Sequence, residues 1–151
     1  MVTCQPVERR RPCRILGRVS RANVDLVRAG YEEFLATSQF AANFVSADFV
    51  WDMSTFRGWP EQQIYEGREG ARRFLEDWLD AWEGWQLELE ELHDAGEKVV
   101  AVVRQRGRSK TSGLEVEMHF AQVWTVRDGK QTHMQMYADP AEALEAVGLG
   151  R

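Results

Sequence analysis

The stretch LEVEMHFAQVWTVRDGKQTHMQMYA, Leu114 to Ala138, decides the fold. It holds a long alternating run to Arg127, an Asp128-Gly129 pair, and a second run from Lys130 to Ala138. Asp-Gly between two such runs is the strongest short hairpin signal, because a type I′ turn needs positive φ at both central positions. One face of the first run carries Val116, Met118, Phe120, Gln122 and Trp124; the other carries Glu115, Glu117, His119, Ala121 and Val123. Towards the N-terminus, Trp85, Leu87 and Leu89 alternate with Gln86, Glu88 and Glu90, which marks a half-buried strand. Asp94 to Glu97 reads as a turn, Lys98 to Arg106 as a Val-rich strand, and Arg108 to Gly113 as a polar connection. Four meandering antiparallel strands result.

Before the strands the period is helical. Val27, Tyr31, Phe34 and Leu35 predict a first helix, with Ser20 or Asn23 as N-cap. Phe40, Phe44 and Val45 suggest a shorter second helix, and Asp48 to Met53 reads as an extended piece before a loop holding Gly58 and Pro60. A third helix opens near Gly67 and presents Phe74, Leu75, Trp78, Leu79 and Trp82 on one face. After the last strand, Asp139-Pro140-Ala141-Glu142 opens a short helix that Gly148 can end. Helices and strands are segregated, so the class is α+β: a cone-like barrel, its N-terminal helices packed on a curved antiparallel sheet of four or more strands. Such a cone has a natural pocket between helices and sheet.

The chain has 151 residues, 44% hydrophobic and 28% charged, enough for one domain with its own core. No apolar run approaches the roughly 20 residues that span a bilayer, so no membrane role is expected. The net charge of −5 argues against nucleic acid as the partner of the whole domain. Residues 1–21 hold six Arg against one acid, Glu8, and both cysteines, Cys4 and Cys13. Pro6 and Pro12 interrupt any regular pattern there, and no apolar segment follows Arg9-Arg10-Arg11, so a secretory signal is rejected. The expectation is a basic extension over residues 1–20 outside a domain of residues 21–151. It is either a loose leader or an arm for anionic partners. Without a signal, a cytoplasmic location with reduced thiols is expected.

The order of elements and several strings resemble the nuclear transport factor 2-like superfamily, in its SnoaL-like branch, akin to polyketide cyclases and ketosteroid isomerases. The strings are Val27-Arg28-Ala29-Gly30-Tyr31-Glu32-Glu33-Phe34, Phe49-Val50-Trp51-Asp52, Gly67-Arg68-Glu69-Gly70, Val126-Arg127-Asp128-Gly129-Lys130 and Tyr137-Ala138-Asp139-Pro140. They cover residues 22–149 approximately. They identify a fold shared by isomerases, cyclases, dehydratases, epoxide hydrolases and proteins with no chemistry.

The resemblance implies a pocket in which a carboxylate moves a proton beside a carbonyl. A Tyr on the first helix and a protonated acid on the sheet hold the enolate oxygen. Laid over this chain, the base falls on Asp52, the Tyr on Tyr31 and the sheet acid on Gln122. Gln122 departs from the pattern, since an amide donates a neutral hydrogen bond but is no acid. Asp52, flanked by Trp51, Met53 and Phe56, reads either as a desolvated general base or as an acid that ends a strand by bonding backbone amides. Tyr31 is either an oxygen-polarising group or a core aromatic with a satisfied hydroxyl. His119 stands in reserve as a shuttle, and on the last strand His133 or Met134 is the inward residue, depending on register.

Phe34, Phe56, Trp78, Trp82, Met118, Phe120, Trp124, Met134 and Met136 offer an apolar lining, or plain core. Arg104, Arg106, Arg108 and Lys110 face a strand bearing Glu115 and Glu117, which suggests a cross-strand ion-pair ladder. No phosphate loop, metal-ligand spacing or Ser-His-Asp arrangement appears, so neither cofactor nor metal is implied. Two functions stand: a cofactor-independent isomerase, cyclase or dehydratase using Asp52, or a non-catalytic ligand-binding or association module. Either way the expected partners are a small apolar or carbonyl-bearing ligand and a second copy, a homodimer through the sheet face bearing Ala121 and Val123.

Overall fold

A computed structural model describes residues 12–57 and 59–149, with side chains from residue 21 onward. Asp128 at φ 52° and Gly129 at φ 74° turn strand β5 (Glu115–Arg127) back into β6 (Lys130–Tyr137), the left-handed pair a type I′ turn requires. Upstream lie β1 (Val45–Asp52), β2 (Ile64–Glu66), β3 (Trp82–Ala95) and β4 (Lys98–Ser109). Together they make one six-stranded, curved, unclosed sheet in the order β2-β1-β6-β5-β4-β3. The β3–β4–β5–β6 meander is antiparallel as expected, but β1 joins β6 in parallel, so the sheet is mixed. Register shifts between Glu83 and Gln86 and between Leu89 and Glu91 break the β3 ladder, and bulges of this kind bend a strand around its core.

Among the described residues three helices accompany the sheet: α1 (Pro12–Thr37), α2 (Gly67–Asp80) and α3 (Pro140–Ala146). Helix α1 begins well before the expected domain boundary at residue 21, because Pro12 stands at the first helical position, where proline is tolerated. Ser20 and Asn23 therefore lie inside α1 rather than capping it. Asn23 is buried and donates its side-chain amide to the Gly96 carbonyl at 2.9 Å, tying α1 to the β3–β4 turn. The expected second helix is a single 3-10 turn, Ala42–Phe44, after which Val45 opens β1. Trp82 is not on α2, which ends at Asp80; it starts β3 opposite Ser109. Its ring still packs 6.1 Å from that of Trp78, so the four-residue spacing marked a real contact across a helix–strand junction. Residues 1–11, with Cys4 and the Arg9-Arg10-Arg11 run, lie outside the described residues.

Two apolar layers result. On the concave face Val27 and Tyr31 of α1 and Phe74 of α2 pack on Phe49, Trp51, Val99, Ala101, Val103, Phe120, Trp124, Met134 and Met136. On the convex face Val100, Val102, Ala121 and Val123 are covered by Ala143, Leu144 and Val147 at the C-terminal helix. Ala121 is 0% and Val123 3% exposed, so the two residues offered as a dimer surface are already buried within the chain. Among the described residues no helix is long and apolar enough to cross a membrane.

Candidate functional site

Alternation along β1 and β5 determines what faces the inside. Trp51 and Phe49 are large and buried, so Val50 and Asp52 point to the convex face. On β5, Phe120, Gln122 and Trp124 point inward, and on β4 Gln105 follows the buried Val99, Ala101 and Val103. With Tyr31 and Phe34 of α1, Trp78 of α2, Trp85 of β3, and Gln131 and Met136 of β6, they enclose a chamber of about 70 Å³. Among the described residues, no titratable side chain apart from the Tyr31 phenol lines it.

Two short hydrogen-bond chains cross the wall. In the first, the Trp124 indole donates to the Tyr31 hydroxyl at 2.9 Å, Tyr31 donates to Gln122 Oε1, and Gln122 Nε2 lies 3.4 Å from Met136 Sδ. In the second, Trp78 Nε1 donates to Gln105 Oε1 at 2.7 Å, and Gln105 Nε2 lies 3.7 Å from Met118 Sδ. Burial pushes the Tyr31 phenol well above its ordinary range, only partly opposed by the Trp124 bond, so it stays protonated. The Trp85 indole nitrogen is shielded from solvent and has no acceptor among the described residues. Phe40 and Leu75 separate the chamber from a surface depression of about 260 Å³ bounded by Ser38, Gln39, Arg72, Glu76 and Leu79.

Tyr31 and Gln122 thus meet in the chamber, bonded to each other. Asp52 does not join them. Its Oδ1 accepts the Ser54 backbone N–H at 2.8 Å and its Oδ2 lies 3.3 Å from His133 Nε2, all on the convex side of the sheet. The strand-ending reading of Asp52 is the one its contacts fit, and the pocket-base position is corrected by the inward turn of Trp51. His119 also faces outward, 2.8 Å from Glu90, so it reaches no substrate in the chamber. On β6 Met134 is the inward residue and His133 the outward one.

Of the expected lining, Phe34, Trp78, Phe120, Trp124 and Met136 border the chamber. Phe56 instead packs between Trp59 and Phe120, Trp82 covers Gly107, Met118 sits behind Gln105, and Met134 is fully buried core. Sequence reasoning missed Gln105, Gln131 and Trp51. Gln105 had a usable signal: if Arg104, Arg106 and Arg108 share the wet face of β4, the residue between the first two faces inward. The ladder itself is present, with Arg104 and Arg108 each 2.9 Å from Glu117 and Glu115 respectively, while Lys110 falls past the strand and pairs with Asp80 at 3.6 Å. Among the described residues, no three His, Cys, Asp or Glu side chains converge as metal ligands would.

The SnoaL-like domain profile matches residues 27–134, from the apolar stripe of α1 to the inward methionine of β6. The chain belongs to the SnoaL-like domain family. No functionally curated protein matches it. Solved structures share the fold of this SnoaL-like chain. An NTF2-like protein of unknown function from Burkholderia pseudomallei is 19% identical, with TM-score 0.67, covering 84% of this chain and 98% of that one. A putative SnoaL-like polyketide cyclase from Jannaschia is 19% identical at TM-score 0.67, covering 88% and 96%. TerC, co-crystallised with polyporic acid, is 23% identical at TM-score 0.65, covering 83% and 98%.

Proposed function

We propose that this SnoaL-like domain is a non-catalytic binding module for a small apolar or carbonyl-bearing molecule held in the concave chamber. The observation that carries this reading is the chamber wall. Among the described residues its polar side chains are neutral amides, indoles and one phenol, and that phenol is engaged by Trp124 and Gln122. Proton transfer at neutral pH needs a group that gains and loses a proton there. The Asp52 carboxylate, which would have served, is on the opposite side of the sheet.

A wall that is mostly aromatic and aliphatic favours an apolar ligand, and buried amides orient it. TerC, a neighbour by fold, was co-crystallised with an organic ligand, polyporic acid, which supports this type of use. As it stands the chamber is smaller than the roughly 150 Å³ that admits benzene in an engineered cavity. A ring therefore needs Phe40 or Leu75 to swing towards the adjoining depression.

The test is a thermal-shift screen of aromatic ketones and polyketide-like compounds, followed by assay of each binder for turnover. Binding without turnover is expected, accompanied by changes in tryptophan fluorescence, since Trp51, Trp78, Trp85 and Trp124 line the chamber. Turnover that disappears in the Tyr31→Phe variant would refute the non-catalytic reading.

A further inference from the structure

The hydrogen-bond inventory of the chamber is unbalanced, and the imbalance specifies its ligand. An indole N–H only donates. Trp78 Nε1 therefore requires that the Gln105 atom 2.7 Å away be the amide oxygen. Trp124 Nε1 likewise makes the Tyr31 oxygen an acceptor, so the tyrosine's own proton goes to the Gln122 oxygen. These donors fix both amide orientations and consume both amide oxygens.

What remains at each glutamine is an NH₂ group whose one hydrogen-bond partner among the described residues is a thioether: Met118 Sδ at 3.7 Å for Gln105 and Met136 Sδ at 3.4 Å for Gln122. Thioether sulfur is a weak acceptor. Gln105 is 1% and Gln122 8% exposed, so water does not take its place freely. Trp85, on the same wall, adds an indole N–H with no partner among the described residues. The remaining amide, Gln131, gives its NH₂ to the Phe44 carbonyl at 3.4 Å. Three of the lining side chains thus carry donors without adequate acceptors.

Resting on the binding function proposed above, we infer that the chamber selects a neutral hydrogen-bond acceptor, a ketone or similar carbonyl compound, through the amide N–H groups of Gln105 and Gln122 and the indole of Trp85. Buried donors gain most from a partner that brings an acceptor and no donor of its own. An anion is disfavoured because, among the described residues, no Arg, Lys or His lines the wall to repay its desolvation. A hydrocarbon of equal size fills the space but leaves the three groups as they are.

The experiment uses three probes of similar size, acetophenone, cumene and benzoate, on the full chain and on Phe40→Ala, which removes one side of the partition. Calorimetry should show acetophenone at least about fivefold tighter than cumene, the least that satisfying one buried donor gives, and benzoate weakest of the three. In ¹⁵N-edited NMR of the wild type, acetophenone should move a side-chain NH₂ proton of Gln105 or Gln122, or the Trp85 indole proton, downfield, and cumene should not. Cumene or benzoate binding as tightly as acetophenone, with those protons unmoved, overturns the inference but leaves the binding function intact. If no probe enters either protein, the binding function itself falls and the inference with it.

Discussion

The Asp52 carboxylate and the His133 imidazole lie 3.3 Å apart on the convex face of the sheet, with a wall of strand between them and the chamber. Asp52 is only 13% exposed and also accepts the Ser54 backbone N–H, so it ends β1 in the manner of a turn-forming acid. Asp52→Asn keeps the acceptor for Ser54 and loses the charge facing His133. The expected result is unchanged affinity for chamber ligands and a stability loss within about 1.5 kcal/mol, the scale of one hydrogen bond. Calorimetric binding and urea unfolding of the variant check both parts. Loss of ligand binding with stability intact would return Asp52 to the site.

Tyr31 should make the protein sensitive to alkali. Its folded phenol resists ionisation because it is buried, whereas the unfolded chain ionises near the ordinary value of 10.0. The raised group contributes its full stability below pH 10, and that contribution drains as pH rises further. Tyr31→Phe should flatten this alkaline decline. At neutral pH it should cost about 1–3 kcal/mol, because the Trp124 N–H loses its acceptor. Melting temperature between pH 8 and pH 11 measures the slope, and a variant with the wild-type slope would contradict it. Tyr65 and Tyr137, also raised by burial, keep the decline from vanishing.

The sign reverses at the ladder. The Arg104 guanidinium bonds to Glu90 at 2.7 Å and to Glu117 at 2.9 Å, and holds both carboxyl groups below their ordinary 4.5. Stability from these pairs is therefore present above pH 4.5 and lost as pH falls through the lowered values. Both acids are partly in water, which keeps the effect small and salt-sensitive. Arg104→Gln should melt below the wild type at pH 7 and converge with it towards pH 3. Melting curves that stay parallel across that range would remove the ladder from the stability account.

Phe40 is the side chain that separates the chamber from the outer depression. It is half-buried, packed 5.9 Å from Phe49 and 6.3 Å from Trp51. Truncation to alanine should cost less than the about 3–5 kcal/mol of a fully buried Phe. Association of a ring-sized ligand should become faster, because its path no longer waits on a rotation. Stopped-flow tryptophan fluorescence reads that rate directly, and an unchanged rate would place the way in elsewhere.

The sequence was most legible where one side-chain pattern answered to one physical demand. Asp128-Gly129 needed positive φ and has it. The alternation from Val116 to Trp124 needed two distinct faces, and Phe120, Gln122 and Trp124 do share the concave one, while Ala121 and Val123 on the other are dry under α3. Asp52 was misplaced because motif alignment counts positions, whereas a pleated strand is phased by what must be buried. Trp51 and Phe49 set the phase of β1, and a register shift between Val45 and Val50 breaks any count carried in from upstream. The parallel pairing of β1 with β6 and the three-residue β2 leave no local signature, since both are long-range pairings. Gln105 was hidden between two arginines whose charge drew the reading to the wrong face. Nothing in the run from Pro140 to Ala146 states which surface it will cover.

That last surface carries a further prediction. Helix α3 has seven residues, too few to persist alone, and is held by two devices. Asp139 accepts the Ala141 backbone N–H at 3.0 Å as N-cap, and Ala143, fully buried, packs with Leu144 and Val147 on Val100, Val102, Ala121 and Val123. Asp139→Ala should cost about 0.5–2 kcal/mol, as lost caps do. Ala143→Asp should do more, because it drives an unpaired carboxylate into that layer. Once the helix lifts, four adjacent apolar positions on β4 and β5 meet water together, and a dry patch of strands recruits other strands. Ala143→Asp should therefore sediment as larger species than the wild type at the same concentration, with increased binding of a hydrophobic dye. If it sediments and melts like the wild type, α3 is not the cover of this face.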